Sequence, residues 1–171
     1  MDRIDPDPTG DERTLLSQFL DYHRTTLTQK ASGLDRQQFA TRLGRSTLTL
    51  AGLVKHAALV EDSWFGEVLL GGEPREPWAG IDWDADPDWE FRTALDEDPE
   101  DLLALYAAAC ERSRAAVAQV GDLDTLAVKP SRRTGRPFNL RWIMLHMIEE
   151  TARHNGHADL LRENIDGATG E

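Results

Sequence analysis

The sequence predicts an all-α protein, a four-helix bundle in which a long Trp- and Pro-rich connection separates the second helix from the third. Three observations lead there. Four segments carry apolar residues at the three-to-four spacing of an amphipathic helix. No stretch alternates apolar and polar residues long enough to make a convincing strand, and there is no internal repeat or low-complexity tract. Each helical segment opens near an oxygen-bearing side chain and stops at glycine, the asymmetry expected of caps.

The elements follow in order. Asp11 and Glu12 open the first helix with acids suited to its N-terminal dipole, and Leu15, Leu16, Phe19, Leu20, Tyr22 and Leu27 carry it to Lys30 before Ala31-Ser32-Gly33. Leu34 to Leu43 is expected to make a short helical turn around Phe39. Ser46, Thr47 and Thr49 offer capping oxygens to the second helix, whose apolar positions run from Leu50 through Val54, Val60 and Phe65 to Val68 and stop at Gly71-Gly72. From Gly71 to Pro99 periodicity vanishes, while Trp78, Trp83 and Trp89 favour a loop docked on something apolar over free disorder. Asp98-Pro99-Glu100-Asp101 starts the third helix, with Pro at its first position, and it ends near Gly121. A basic connector, Lys129 to Arg136, leads to Asn139, the cap of a fourth helix that is carried by Leu140, Ile143, Met144, Met147, Ile148, Leu160 and Leu161 to Gly167. Residues 11–167 are expected to form one domain between a flexible leader, residues 1–10, and a tail, residues 168–171.

The charge balance, 19 basic against 31 acidic residues for a net of −12, argues against a nucleic-acid backbone or an anionic membrane as partner. One cysteine, Cys110, precludes an internal disulfide, and the N-terminus lacks the basic and apolar regions of a signal peptide, so the expected location is cytoplasmic.

The stretch from His146 to His157 carries the chemistry. In a helix Glu150 and His154 stand one turn apart on one face, about 6 Å along the axis, so both side chains reach one ion. A protein-held metal usually takes at least three protein ligands, and a catalytic one keeps a position open. The third is expected from His56, whose neighbours Leu53, Val54, Ala57 and Leu59 direct it inward. The spacing alone also describes an ordinary hydrogen-bonded Glu–His pair, and a core histidine bonded to a backbone carbonyl is the common alternative for His56. His146, eight residues from His154 and about 12 Å along the axis, is too far to share its ion. His157 is expected behind the ligands or against substrate, His23 at the surface or rim, and Cys110, among alanines, buried and inert.

The run His146 to Glu163 closely resembles the last helix of an actinobacterial branch of the DinB/YfiT-like superfamily of metal-dependent bundles. Gly10 to Leu16 and Leu48 to His56 extend the resemblance over nearly the whole chain. Many members use three histidines, one from the second helix and an H-x-x-x-H pair from the fourth. Here Glu150 stands in the first position of that pair, and in this the chain resembles mycothiol-dependent maleylpyruvate isomerase, a relative with a His, Glu, His zinc site. The resemblance implies His56, Glu150 and His154 as ligands of a divalent metal, zinc foremost, with nickel, manganese or iron also served by such donors. It implies a homodimer as well, and mycothiol as cosubstrate. The sequence ends soon after the fourth helix, which counts against that isomerase's own reaction, and the resemblance implies transfer of the thiol to an electrophilic small molecule.

Metal coordination deprotonates a thiol outright, so no activated protein cysteine is needed. Arg153 and the basic connector are candidates to hold a polar or anionic cosubstrate, and a solvated charged rim explains them equally. Two other classes fit the same residues. One is a metal-dependent hydrolase with Glu149 or Glu61 as general base; the other is a non-catalytic, stress-related dimeric bundle.

Overall fold

A computed structural model describes residues 3–170; Met1 and Asp2 of the expected leader and Glu171 of the expected tail lie outside the described residues. The protein is all-α. Its helices are α1 (Glu12–Ala31), α2 (Arg36–Phe39), α3 (Leu50–Glu61), α4 (Trp89–Thr93), α5 (Pro99–Gln119) and α6 (Leu140–Asp166). Among the described residues there is no strand, and one isolated antiparallel bridge, Leu126 to Asn139, closes the α5–α6 connector.

The caps act as their residue types dictate. Asp11, Thr49, Asp98 and Asn139 accept hydrogen bonds from the backbone N–H groups of Thr14, Gly52, Glu100 and Trp142, satisfying donors that a helix start leaves free. Gly167 ends α6 in the left-handed region at φ 75°, which a side chain disfavours. Arg36 to Phe39 form the expected short turn, closed by a capping box between Asp35 and Gln38.

Two features depart from the sequence expectation. The second long helix does not continue as an α-helix to Val68: from Asp62 to Leu69 it widens into a π-helix, a form that recurs at functional sites. The connection after it is not wholly irregular, because it contains α4 and a 3-10 turn, Ala94–Asp96. It is docked on the body of the protein, as its tryptophans suggest. Trp78 is 2 % exposed, and its indole N–H donates to Asp62 Oδ2 at 2.9 Å; both oxygens of Asp62 also accept from Arg112 at 2.8 Å. Residues 3–10 have no regular structure, and Arg3 and Asp7 contact α1 through Thr26 and Gln18.

α1 packs chiefly on α6, and α3 on α5. Burial of apolar side chains between these pairs, at about 25 cal/mol per Å², is the main force holding them. The core has two parts, one around Leu27, Leu53, Val54 and Tyr106, the other around Leu20, Phe65, Ile143 and Met147. Phe19 and Leu160, counted above in apolar stripes, are instead 46 % and 55 % exposed. Among the described residues no helix is long and apolar enough to cross a membrane.

Candidate metal centre

His56 comes from the second turn of α3, and Glu150 and His154 come from the middle of α6. Helical spacing stacks the last two, so that His154 Nε2 lies 3.0 Å from Glu150 Oε1. His56 Nε2 approaches the same oxygen at 3.6 Å from the facing helix. One donor atom from each residue thus lies within 4.8 Å of the others. The three border a cavity of about 10 Å³, room for roughly one water or ion, with Leu27, Ala57, Val60, Met147 and Thr151 as the remaining wall apart from Glu61. Leu27 belongs to one part of the core and Met147 to the other, so the cluster sits where the two meet.

Whether these groups suit a metal is decided by their lone pairs. His56 Nδ1 lies 2.9 Å from Glu90 Oε1, and when that carboxylate oxygen accepts, Nδ1 is the nitrogen that donates. In the neutral ring Nε2 then turns a lone pair toward the Glu150 oxygen. Two electron-rich atoms facing each other are repelled unless a cation lies between them. The spacing agrees: tetrahedral ligands about 2.0–2.1 Å from zinc stand roughly 3.4 Å apart, between the two separations observed. The donor set therefore fits a divalent ion.

Electrostatics favour the same protonation states. Burial lowers the His154 pKa, with the neighbouring His56 adding to it, which keeps the ring neutral. For Glu150, burial alone raises the pKa, but the neighbouring His154, followed by His56, brings it below the ordinary carboxylate value.

Glu90, which sequence reading missed, is the second device of the site. It is 3 % exposed, its Oε1 holds the His56 ring, and its Oε2 is buried without a hydrogen-bond partner. A buried unpaired oxygen costs stability. Phe91 stacks on the other side of that anchor, 4.9 Å from the His56 ring centroid. The approach requires a glycine one turn before His56: a Cβ on Gly52 would lie 2.8 Å from Phe91 Cδ1. Glu90→Gln is expected to weaken metal affinity by about 10–100-fold, since outer partners of this kind orient and enrich the ligating ring. Competition against a metallochromic chelator measures it, and an unchanged affinity would remove Glu90 from the site.

The remaining candidates are placed as follows. His157 stands beside His154, ring centroids 5.6 Å apart, and is not one of the three grouped donors. Arg153 and Glu149 pair with each other at 3.3 Å on an exposed face of α6, with side chains 66 % and 56 % accessible. Glu61, the other candidate base of the hydrolase alternative, borders the small cavity, and both its oxygens accept from Arg24, at 2.7 and 2.5 Å. His23 is half-buried against Tyr22 and Asn155, and burial lowers its pKa. His146 stacks on Trp142, away from the cluster. Cys110 is buried, and burial with the charge of Glu61 pushes its thiol up to about 12, so it is no nucleophile at neutral pH.

In the solved structures, a conserved protein from Enterococcus faecalis superposes with a TM-score of 0.67 over 94 % of this chain and 100 % of its own, at 14 % identity, a likeness of fold. A comparison with curated proteins finds no match. The profile of the mycothiol-S-transferase family matches residues 15–167, nearly the whole sequence and every residue of the cluster just described. The chain belongs to that family.

Proposed function

We propose that this protein is a metal-dependent thiol S-transferase that uses mycothiol and an electrophilic small molecule, with His56, Glu150 and His154 as metal ligands. In this reading α1, α3, α5 and α6 form a DinB-type four-helix bundle in one domain, residues 11–167. The observation that carries it is the convergence of two imidazole Nε2 atoms on one carboxylate oxygen beside an apolar wall, in a chain of this family.

A divalent ion held there, zinc foremost, supplies the lowered pKa at which a thiol loses its proton near neutral pH. Glu90 holds the His56 ring so that Nε2 faces inward. Leu27, Val60 and Met147 keep the dielectric low, which strengthens every interaction between charges at the cluster. The sulfur then bonds to the electrophilic carbon, whose leaving group departs with the bonding electron pair. Hydrolysis by the same set finds less support, since Glu61 is tied to Arg24 and Glu149 faces solvent. A cytoplasmic location suits mycothiol as cosubstrate and the unpaired Cys110.

Wild-type protein is expected to consume mycothiol in the presence of 1-chloro-2,4-dinitrobenzene, releasing chloride, and Glu150→Gln to fall to the uncatalysed rate. Equal rates in both would sink the proposal. A homodimer through helix faces is also proposed: Trp142 and Leu145, near the start of α6, leave apolar side chains 44 % and 52 % exposed that a second copy would cover. Light scattering should give twice the 19.2 kDa chain mass, and a monomer would remove the claim.

A further inference from the structure

A second cavity, about 870 Å³, opens one helical turn beyond His56, and Val60 is a wall of both it and the small cavity at the cluster. Its volume lies in the range of sites for small organic ligands. Three segments build it. The π-helical stretch contributes Trp64, the α3–α4 connection contributes Trp78 and Trp83, and the α5–α6 connector contributes Lys129, Arg132 and Arg133. Trp78 is held in place by Asp62, so that part of the wall is preformed.

The charges on this wall run against the rest of the molecule. In a chain of net charge −12, the cavity has three cations and one acid, Glu67. Lys129 donates to the Gly72 carbonyl at 2.7 Å, and Arg132 acts on Glu67 through its charge without a direct ion pair. Burial raises the pKa of Glu67, while the charges of Lys129 and Arg132 act on it in the opposite direction. The partly exposed indoles of Trp64 and Trp83 beside the Arg132 and Arg133 guanidinium groups complement a ligand with an aromatic body and an anionic substituent.

We propose that this cavity is the acceptor site, and that it binds aromatic carboxylates, the ring between the tryptophans and the carboxylate on Arg132 and Arg133. The assignment of its occupant as the electrophile rests on the proposed S-transferase reading. A carboxylate so placed leaves the far side of the ring toward Val60, the wall shared with the cluster.

The test uses calorimetric titration with 2-naphthoate, 2-naphthamide and methyl α-D-glucopyranoside against the full-length protein. Naphthoate is expected to bind at one site, and the neutral amide about tenfold or more weakly. Arg132→Ala/Arg133→Ala should weaken naphthoate by at least about tenfold, or ~1.4 kcal/mol, and leave the amide unchanged. Both arginines are exposed, so folding is not at risk, and Trp83→Ala should weaken acid and amide alike. Equal affinity for acid and amide, no effect of the arginine pair, or no binding at millimolar concentration overturns the proposal. So does binding of the glucoside in place of naphthoate, which would give the cavity to the sugar of the thiol. Naphthoate should also bind Glu150→Gln undiminished. Binding without any thiol transfer by wild type would then sink the S-transferase reading alone, and transfer without binding would sink this one alone.

Discussion

Glu150→Gln protein is expected to lose its metal and keep its fold. Wild type purified without chelators should carry close to one divalent ion per chain by elemental analysis, and the variant close to none. Glutamine preserves the shape of the side chain but removes the negative charge, and its amide nitrogen is a donor with no lone pair to offer. Glu150 is the atom-level centre of the cluster, 3.0 Å from one imidazole and 3.6 Å from the other, so the substitution leaves two neutral imidazoles and a neutral amide oxygen, a much weaker set for a divalent ion. The fold should survive because the Glu150 side chain is about a quarter exposed and its ion-pair partners are the two histidines alone. Circular dichroism checks that. Thermal unfolding supplies a readout independent of both activity and stoichiometry: ligand bound only to the folded state stabilises it, so a chelator should lower the Tm of wild type and leave that of Glu150→Gln unmoved. A folded wild type that is free of metal, or a variant that retains it, would defeat the assignment.

The stacking of Glu150 on His154 is legible in the sequence because it follows from a fixed helical pitch inside a strongly periodic segment. The inward direction of His56 is legible for a similar reason, its apolar neighbours on α3. Glu90 is not. It lies in a stretch without periodicity, and it meets His56 only because Gly52 lets α4 close on α3, a contact between residues 34 apart. The one available signal is an acid set between two aromatics, Trp89 and Phe91, in a segment already expected to dock. The π-helix is hidden differently. Its apolar residues, among them Trp64, Phe65 and Val68, satisfy an α-helical stripe almost as well, and the choice is made by burial of Asp62 and Phe65, which only the assembled fold defines. All-α architecture and helix ends were within reach because caps and glycines act locally. Partners of buried charges are set by long-range packing, so the pairing of Glu61 with Arg24, 37 residues away, leaves no local signal.

The pairing of Glu61 carries the second large effect. Arg24 and Glu61, on α1 and α3, form a bidentate pair with side chains 5 % and 1 % accessible. Burial alone lowers the pKa of Arg24, but the charge and hydrogen bonds of Glu61 reverse this and hold the guanidinium charged. Glu61→Ala should therefore strand a cation in the core and destabilise the protein by about 3–5 kcal/mol in urea unfolding. The lower end is favoured, because Arg24 also donates to Asp21, at 2.8 Å, near the surface. Arg24→Met/Glu61→Leu removes both charges and fills much of the same volume, so it should recover most of the loss, as desolvation of a buried pair nearly cancels its attraction. Metal content separates architecture from chemistry, since a purely structural Glu61 predicts that the folded double variant still binds its ion. A single variant within about 1 kcal/mol of wild type would mean that water reaches Arg24 and that the pair is not buried in solution.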